Sequence, residues 1–148
     1  MLSRHPTSTT LPNLRRAKDL ADQRFDQSLD LDDLAAAAGF SKFHFNRAFT
    51  KAYGETPMRY VTRRRIERAQ DLLRSANLSV TEISILVGYN SLGSFTSRFT
   101  ALVGASPTEY RRTHREVGAR HIPGCFLFLR GVDPAAPACE PATVQPIR

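Results

Sequence analysis

The feature that most constrains this chain is an internal repeat. When Phe45 is set against Phe95, Phe49 falls on Phe99, Gly54 on Gly104, Pro57 on Pro107 and Tyr60 on Tyr110. Upstream, a shift of one residue sets Leu34 against Ile83, Gly39 against Gly88 and Phe40 against Tyr89, so the second unit carries one extra residue in or just after its turn. Any helical bundle can show one glycine-containing helix pair. Two in register, with matching turn glycines, caps and core aromatics, mean that one supersecondary unit has been built twice.

Each unit reads as a short helix, a tight turn and a second helix. In the first, Asp30 caps a helix over 31–38 whose inner face is Leu31, Leu34, Ala35 and Ala38. Asp33 lies in its first turn, where the helix dipole favours a carboxylate. The run from Ala35 to Ala38 has small side chains that let the next helix approach closely. Gly39 ends the first helix, and Ser41 caps the second, which runs to near Tyr53 and Gly54. On this second helix Phe45, Ala48, Phe49 and Ala52 recur at helical spacing and face a core, while Phe43, Asn46, Arg47 and Thr50 form an outer stripe. In the second unit, Ser79 and Glu82 make a capping box before a helix over 80–87, with Ile83, Leu86 and Val87 inward. Tyr89, Asn90 and Ser91 form the turn, and a helix over about 91–103 buries Phe95, Phe99 and Leu102. Gly104 ends it. Ser106 and Glu109 read as a further capping box for a short last helix through Tyr110 to about Arg115.

Between the units Thr56 and Pro57 start a long helix that runs to about Ser75, a cap residue followed by a proline at the first helical position. Met58, Val61, Ile66, Ala69, Leu72 and Leu73 give it an apolar strip, and Arg63, Arg64, Arg65, Arg68 and Arg74 dominate the rest. At 1.5 Å per residue it makes a rod of about 28 Å. That is near the ~34 Å between successive major grooves on one face of a duplex. Ahead of the first unit, Leu14, Ala17, Leu20, Ala21 and Phe25 mark a helix opened by Pro12 or Asn13. The expected organisation is an all-α fold of seven helices with an irregular tail. A disordered stretch covers 1–11, a first helix-turn-helix subdomain 12–55, a linker helix 56–76, a second subdomain 77–116 and a tail 117–148.

Composition narrows the partner. Apolar residues make up 41% of the chain, enough for a core, and the formal net charge is +7. A chain this basic favours a polyanion such as nucleic acid, or an acidic membrane surface. No stretch approaches the roughly 18 apolar residues of a membrane span, and the first residues lack the apolar centre of a signal peptide. Two cysteines make no disulfide framework and read as reduced thiols of a cytosolic protein. His114, His121, Cys125 and Cys139 match no compact zinc pattern. There is no acid–base pair, nucleophile constellation or glycine-rich phosphate loop, so neither an enzyme nor a cofactor is expected.

The outer stripe of the first unit carries side chains suited to base edges in a major groove. Arg47 can make a bidentate contact to guanine O6 and N7, Asn46 can pair with adenine, and Phe43 can pack on a thymine methyl. Ser41, Lys42 and Thr50 are placed for phosphates, which fix position without specifying sequence. The second stripe, with Leu92 at its start followed by Gly93, Thr96, Ser97 and Thr100, has short groups. Leu92, Gly93 and Ser97 are its candidates for bases, and Asn90, Ser94 and Thr96 for phosphates. The first unit is therefore expected to supply most of the sequence specificity and the second mainly to anchor. Arg63, Arg64 and Arg65 have two readings, a charged face snorkelling over apolar neighbours or contacts to the DNA backbone.

Several stretches carry a specific resemblance over about 13–112. They are the run from Ala38 through Gly39, Phe40 and Ser41 to Phe49; Arg65 and Ile66 through Leu73; Val80 to Ser84; and Val87 through Gly88, Tyr89, Phe95, Phe99, Gly104 and Pro107 to Tyr110 and Arg111. On these the chain resembles the DNA-binding domain of the AraC/XylS family of bacterial transcription regulators, in its stand-alone, MarA-like form. The resemblance implies two helix-turn-helix subdomains joined by the long helix, with both recognition helices in adjacent major grooves of double-stranded DNA. It also implies base contacts at Phe43, Asn46 and Arg47. The family's usual second arginine aligns with Ser97, whereas this chain has Arg98 one place later, beside the core face. The expected protein is a cytoplasmic, nucleoid-associated activator or repressor with no membrane role. It binds DNA as a monomer, contacts RNA polymerase and is regulated by abundance rather than by an effector domain. The rival readings are a basic helical module that binds an acidic protein, and a non-specific nucleoid binder. Residues 126–129, an apolar strand-like run in the tail, either pack on the helices, pair with a second copy, or contact a ligand or polymerase.

Overall fold

Asp30, Ser41, Thr56, Ser79, Ser91 and Ser106 each turn a side-chain oxygen back onto the N–H three residues ahead, and a helix starts after every one of them. A computed structural model describes residues 10–115. The expectations for 1–9, for the tail from 116 onward, and for His121, Cys125 and Cys139 lie outside the described residues. Within them the chain forms seven helices: α1 Thr10–Arg24, α2 Leu31–Ala38, α3 Lys42–Tyr53, α4 Pro57–Ser75, α5 Val80–Leu86, α6 Leu92–Val103 and α7 Pro107–His114.

Details of the ends depart from the sequence reading. α1 begins at Thr10, so Thr10 and Leu11 are helical rather than part of the N-terminal stretch. Pro12 then lies in the first turn, where a backbone N–H has no intrahelical acceptor and its absence costs nothing. Asp33 does more than face the dipole. Its carboxylate accepts from Asp30 N at 3.0 Å while Asp30 Oδ1 accepts from Asp33 N at 2.9 Å, a reciprocal box like that of Ser79 and Glu82. At Ser106 only half of the expected box forms: Ser106 Oγ accepts from Glu109 N at 3.2 Å, and the Glu109 carboxylate stands 4.0 Å from Arg112. Ser91 is the cap of α6 rather than its first residue.

Two cores form, one in each unit. The first gathers Leu14, Ala17, Ala21, Leu34, Phe45, Phe49, Tyr60 and Val61. The second gathers Ile66, Ala69, Leu73, Ile83, Val87, Phe95, Phe99 and Tyr110. Both draw on α4, which closes the first unit with its N-terminal turns and opens the second with its C-terminal ones. Phe45 and Phe49 are fully buried, and Phe49 meets Tyr53 at 4.6 Å and Tyr60 at 5.9 Å between ring centroids. Phe99 likewise meets Tyr110 at 5.6 Å. Ala52 and Leu102, expected inside, are exposed. They are equivalent positions of the repeat, and the reason is shared: the last turn of α3 directs Tyr53 to its core, and the last turn of α6 directs Val103 there. The neighbouring position is thereby left in solvent.

A polar clamp ties α1 to α4. Asp22 Oδ1 accepts from Tyr60 Oη at 2.6 Å and from Arg64 Nε at 2.9 Å, and Lys18 Nζ lies 3.3 Å from Oδ2. Burial pushes the Asp22 carboxyl up, but the Tyr60 hydroxyl, Lys18 and Arg64 together outweigh it and hold the group below the usual carboxylate range. A carboxylate with a depressed folded-state pKa contributes stability above its unfolded pKa and loses it as pH falls through the folded value. Asp22→Asn is therefore expected to cost about 1–3 kcal/mol at neutral pH. The gap between wild type and variant should close as pH falls below about 4. Urea unfolding at pH 7 and pH 3 checks both statements.

Candidate nucleic-acid interface

The two turns place the two outer helices, and both are built alike. Gly39 adopts φ 69°, with Gly39 N donating to Ala36 O and Phe40 N to Ala35 O, each at 3.0 Å. Gly88 adopts φ 91°, with Gly88 N donating to Ile85 O and Tyr89 N to Ser84 O, again at 3.0 Å. These are paired Schellman closures that satisfy the last carbonyls of α2 and α5. In the first unit the cap Ser41 follows directly, accepting from His44 N at 3.4 Å. In the second, Asn90 is interposed before the cap Ser91, which accepts from Ser94 N at 3.2 Å. The extra residue of the second unit is therefore Asn90, and it is exposed.

The fully buried Phe45 and Phe49 fix the rotation of α3 and leave its outer stripe in solvent. Phe43 is 82% exposed, Arg47 is exposed and Asn46 is half-buried. Arg47 has no carboxylate within 4 Å among the described residues. The phosphate candidates differ from one another. Ser41 spends a lone pair on its cap and keeps its hydroxyl proton for an outside acceptor. Thr50 Oγ1 donates to Asn46 O at 2.7 Å, so its proton is committed within the helix. Lys42 Nζ lies 2.7 Å from Asp32 Oδ2, and that hydrogen bond holds its ammonium above the ordinary lysine range. Both groups are exposed, and a phosphate can replace the carboxylate on the same ammonium.

On α6, Phe95 and Phe99 are fully buried, and Leu92, in the first turn, is 43% exposed. Gly93, Ser94 and Ser97 are exposed and Thr96 is half-buried. A Cβ added at Gly93 would meet nothing within 4 Å, so the backbone is open to close approach. Arg98 is exposed and lines a shallow groove between α4 and α6 with Met58, Arg59, Thr62, Ala101 and Leu102. Two further residues share these positions. Ser91 has the same cap geometry as Ser41, which the repeat register alone pairs with it. Arg59, exposed on α4, faces the same groove as Arg98.

The arginine cluster on α4 is held by ion pairs, backbone carbonyls and an aromatic face, with the Arg63 guanidinium 5.0 Å from the centroid of the Tyr60 ring. Arg63 spans Glu55 and Glu67, at 2.8 Å and 2.6 Å, and the hydrogen bond to Glu55 leads in raising its guanidinium above the ordinary range. Arg64 spans Glu67 and Asp22, at 2.7 Å and 2.9 Å. Arg65 donates from Nε to Phe25 O at 2.5 Å and from Nη2 to Gln27 O at 2.9 Å. Helical spacing accounts for Glu67, three and four positions along α4, but Asp22, Glu55 and the two carbonyls are brought in by tertiary folding from α1, the α3–α4 turn and the segment after α1. On α7, His114 stacks on Tyr110 with ring centroids 4.2 Å apart, and no helix among the described residues is long and apolar enough to cross a membrane.

Known proteins share this arrangement. A helix-turn-helix domain family matches residues 34–113. The Transposon Tn10 TetD protein of Escherichia coli is 38% identical over 91 residues, covering 62% of this chain and 66% of that protein. The HTH-type transcriptional activator AarP of Providencia stuartii is 41% identical over 83 residues, covering 56% and 62%. The chain thus matches just under two thirds of the length of each. Among solved structures, the DNA-binding domain of the global transcriptional factor AdpA, in complex with a target DNA, superposes with a TM-score of 0.66 at 29% identity, covering 68% of this chain and 91% of that one. A transcriptional regulator with an AraC-type DNA-binding domain from Chromobacterium violaceum gives a TM-score of 0.66 at 27% identity, covering 76% and 100%. With the duplicated turns, the two aromatic cores and the shared long helix all present, this chain belongs to the helix-turn-helix DNA-binding domains of the AraC/XylS family.

Proposed function

We propose that the protein is a sequence-specific regulator of transcription that binds double-stranded DNA, with α3 and α6 entering neighbouring major grooves. The observation that carries this reading is the outer face of α3. A large aromatic side chain, Phe43, stands 82% exposed on a helix whose other two phenylalanines are fully buried, and an unpaired guanidinium and an amide stand beside it. A solvated helix face has no use for an exposed phenylalanine, whereas a thymine methyl gives it an apolar partner. Arg47 then reads guanine and Asn46 adenine, while Ser41 and Lys42 hold phosphates. Thr50 joins them only by giving up its bond to Asn46 O. On α6, Leu92, Gly93 and Ser97 approach base edges closely without a long donor among them, so this unit chiefly anchors, helped by Asn90, Ser94 and Thr96. Arg59 and Arg98 add positive charge beside it.

The protein acts as a monomer because its two units already supply two reading heads of unequal chemistry, which suits an asymmetric site. It works in the cytoplasm at the nucleoid, and bound DNA places it to recruit or block RNA polymerase. No catalytic step belongs to this role.

Arg47→Ala is expected to cost about 1–3 kcal/mol in binding and to relax preference at one base pair. Stability should stay within about 0.5 kcal/mol of wild type, because the side chain is exposed and unpaired. A base-substitution scan of a duplex selected by the wild-type chain, run with both proteins, reads the preference. An acidic protein as the true partner would leave no such position-specific change. Affinity should also fall steeply with salt, by about a thousandfold or more between 50 and 200 mM if six or more phosphates are engaged. A salt titration of the same duplex checks this, and a flat profile would contradict a DNA-binding role.

A further inference from the structure

The two units touch one another through very little. Their cores share no residue, and the substantial packing of α1–α3 and of α5–α7 runs within each unit or onto α4. Between Val61, the last α4 residue of the first core, and Ile66, the first of the second, α4 contributes only the half-buried Thr62, Arg63, Arg64 and Arg65. The angle between the units therefore depends on the stiffness of one helical turn and on whatever bridges it from the side.

One bridge stands there. Arg65 leaves α4 in the gap between the cores and donates to Phe25 O and Gln27 O, two carbonyls of the segment joining α1 to α2 in the first unit. Its guanidinium lies 5.6 Å from the centroid of the Tyr89 ring, in the turn that precedes α6 in the second unit. Beside it the backbones of the units meet: a Cβ on Gly88 would stand 2.9 Å from Asp26 O. No carboxylate lies within 4 Å of this guanidinium among the described residues. Burial pulls it below the ordinary arginine range, with Tyr89 and Asp26 acting the other way. A half-buried cation satisfied by carbonyls and an aromatic face is poor as a source of stability, but its planar fork is well suited to fixing geometry.

We propose that Arg65 is a positioning residue: by pinning the 25–27 segment of one unit against the Tyr89 turn of the other, it sets the angle between α3 and α6 and so the half-site spacing the protein accepts. This rests on the DNA-binding reading above. Binding one rigid duplex with two heads is tight only when the heads are pre-aligned, since the ordering cost is then already met. An inserted base pair turns and shifts one half-site against the other, so a locked pair of heads rejects it and a loosened pair tolerates it.

The test uses duplexes selected by the wild-type chain from a randomised pool, the same duplexes with one or two base pairs inserted between the half-sites, and a duplex bearing only the first half-site. Wild type is expected to lose roughly tenfold or more on the first insertion. Arg65→Gln, folded by circular dichroism, is expected to bind the native spacing less tightly, to keep half-site affinity within about twofold, and to lose most of the penalty for insertion. A folded Arg65→Gln that keeps the full wild-type spacing penalty, or that loses half-site affinity as much as bipartite affinity, overturns the proposal. If Arg65→Gln does not fold, Arg65→Lys, which keeps the charge and loses the fork, is measured against the same two criteria. If wild type selects no duplex from the pool, the DNA-binding reading itself fails, and this inference with it.

Discussion

The fold depends on one helix being claimed by two hydrophobic cores. The apolar residues of α4 are divided along its length: Tyr60 and Val61 go to the first core, and Ile66, Ala69, Leu72 and Leu73 to the second. Neither group of three flanking helices could bury its aromatic pair without that shared surface. Phe49 leans on Tyr60 from one end, and the second core closes over Leu73 from the other. Because α4 is a continuous helix, the same packing that stabilises each unit also sets the distance between the two outer helices. Stability and recognition geometry thus come from one element, and a change that bends α4 alters both.

Charge on this protein is sorted rather than merely abundant. Arg63 and Arg64 are spent on Glu55, Glu67 and Asp22, and Arg65 on backbone carbonyls, so the most basic stretch of the sequence mainly holds the molecule together. Arg47, Arg59 and Arg98 have no carboxylate within reach among the described residues. Net charge alone points to a polyanion; the ion pairs say which of these arginines keep their charge free for one. Paired arginines add little to an exposed surface. An unpaired arginine beside an exposed aromatic is already arranged for a partner.

Much of this was legible in the sequence because it is written in local chemistry. The caps at Asp30, Ser41, Thr56, Ser79 and Ser106 are short-range hydrogen bonds, and the spacing of Phe45 to Phe49 and of Phe95 to Phe99 is helical geometry. The outward stripe of α3 follows from that same spacing. What was not legible depends on contacts distant in the chain. Ala52 and Leu102 fit the inward stripe by period, but the cores turn toward Tyr53 and Val103 at those ends. The partners of Arg63, Arg64 and Arg65 lie up to 42 positions away, and no periodicity links Arg64 to Asp22. The junction of Arg65, Asp26, Gly88 and Tyr89 was likewise invisible, since no one of these residues signals it alone. Ser91 is a different case: its cap geometry, equivalent to that of Ser41, is legible only through the repeat register.

The central claim is that one rigid rod presents two reading helices to one side of a duplex. Methylation protection of guanine N7 on a selected duplex tests it most directly, since that atom is accessible only from the major groove. The account predicts two protected patches separated by about one helical turn, roughly 10 base pairs, on the same face. A single patch, or two patches on opposite faces, would contradict it.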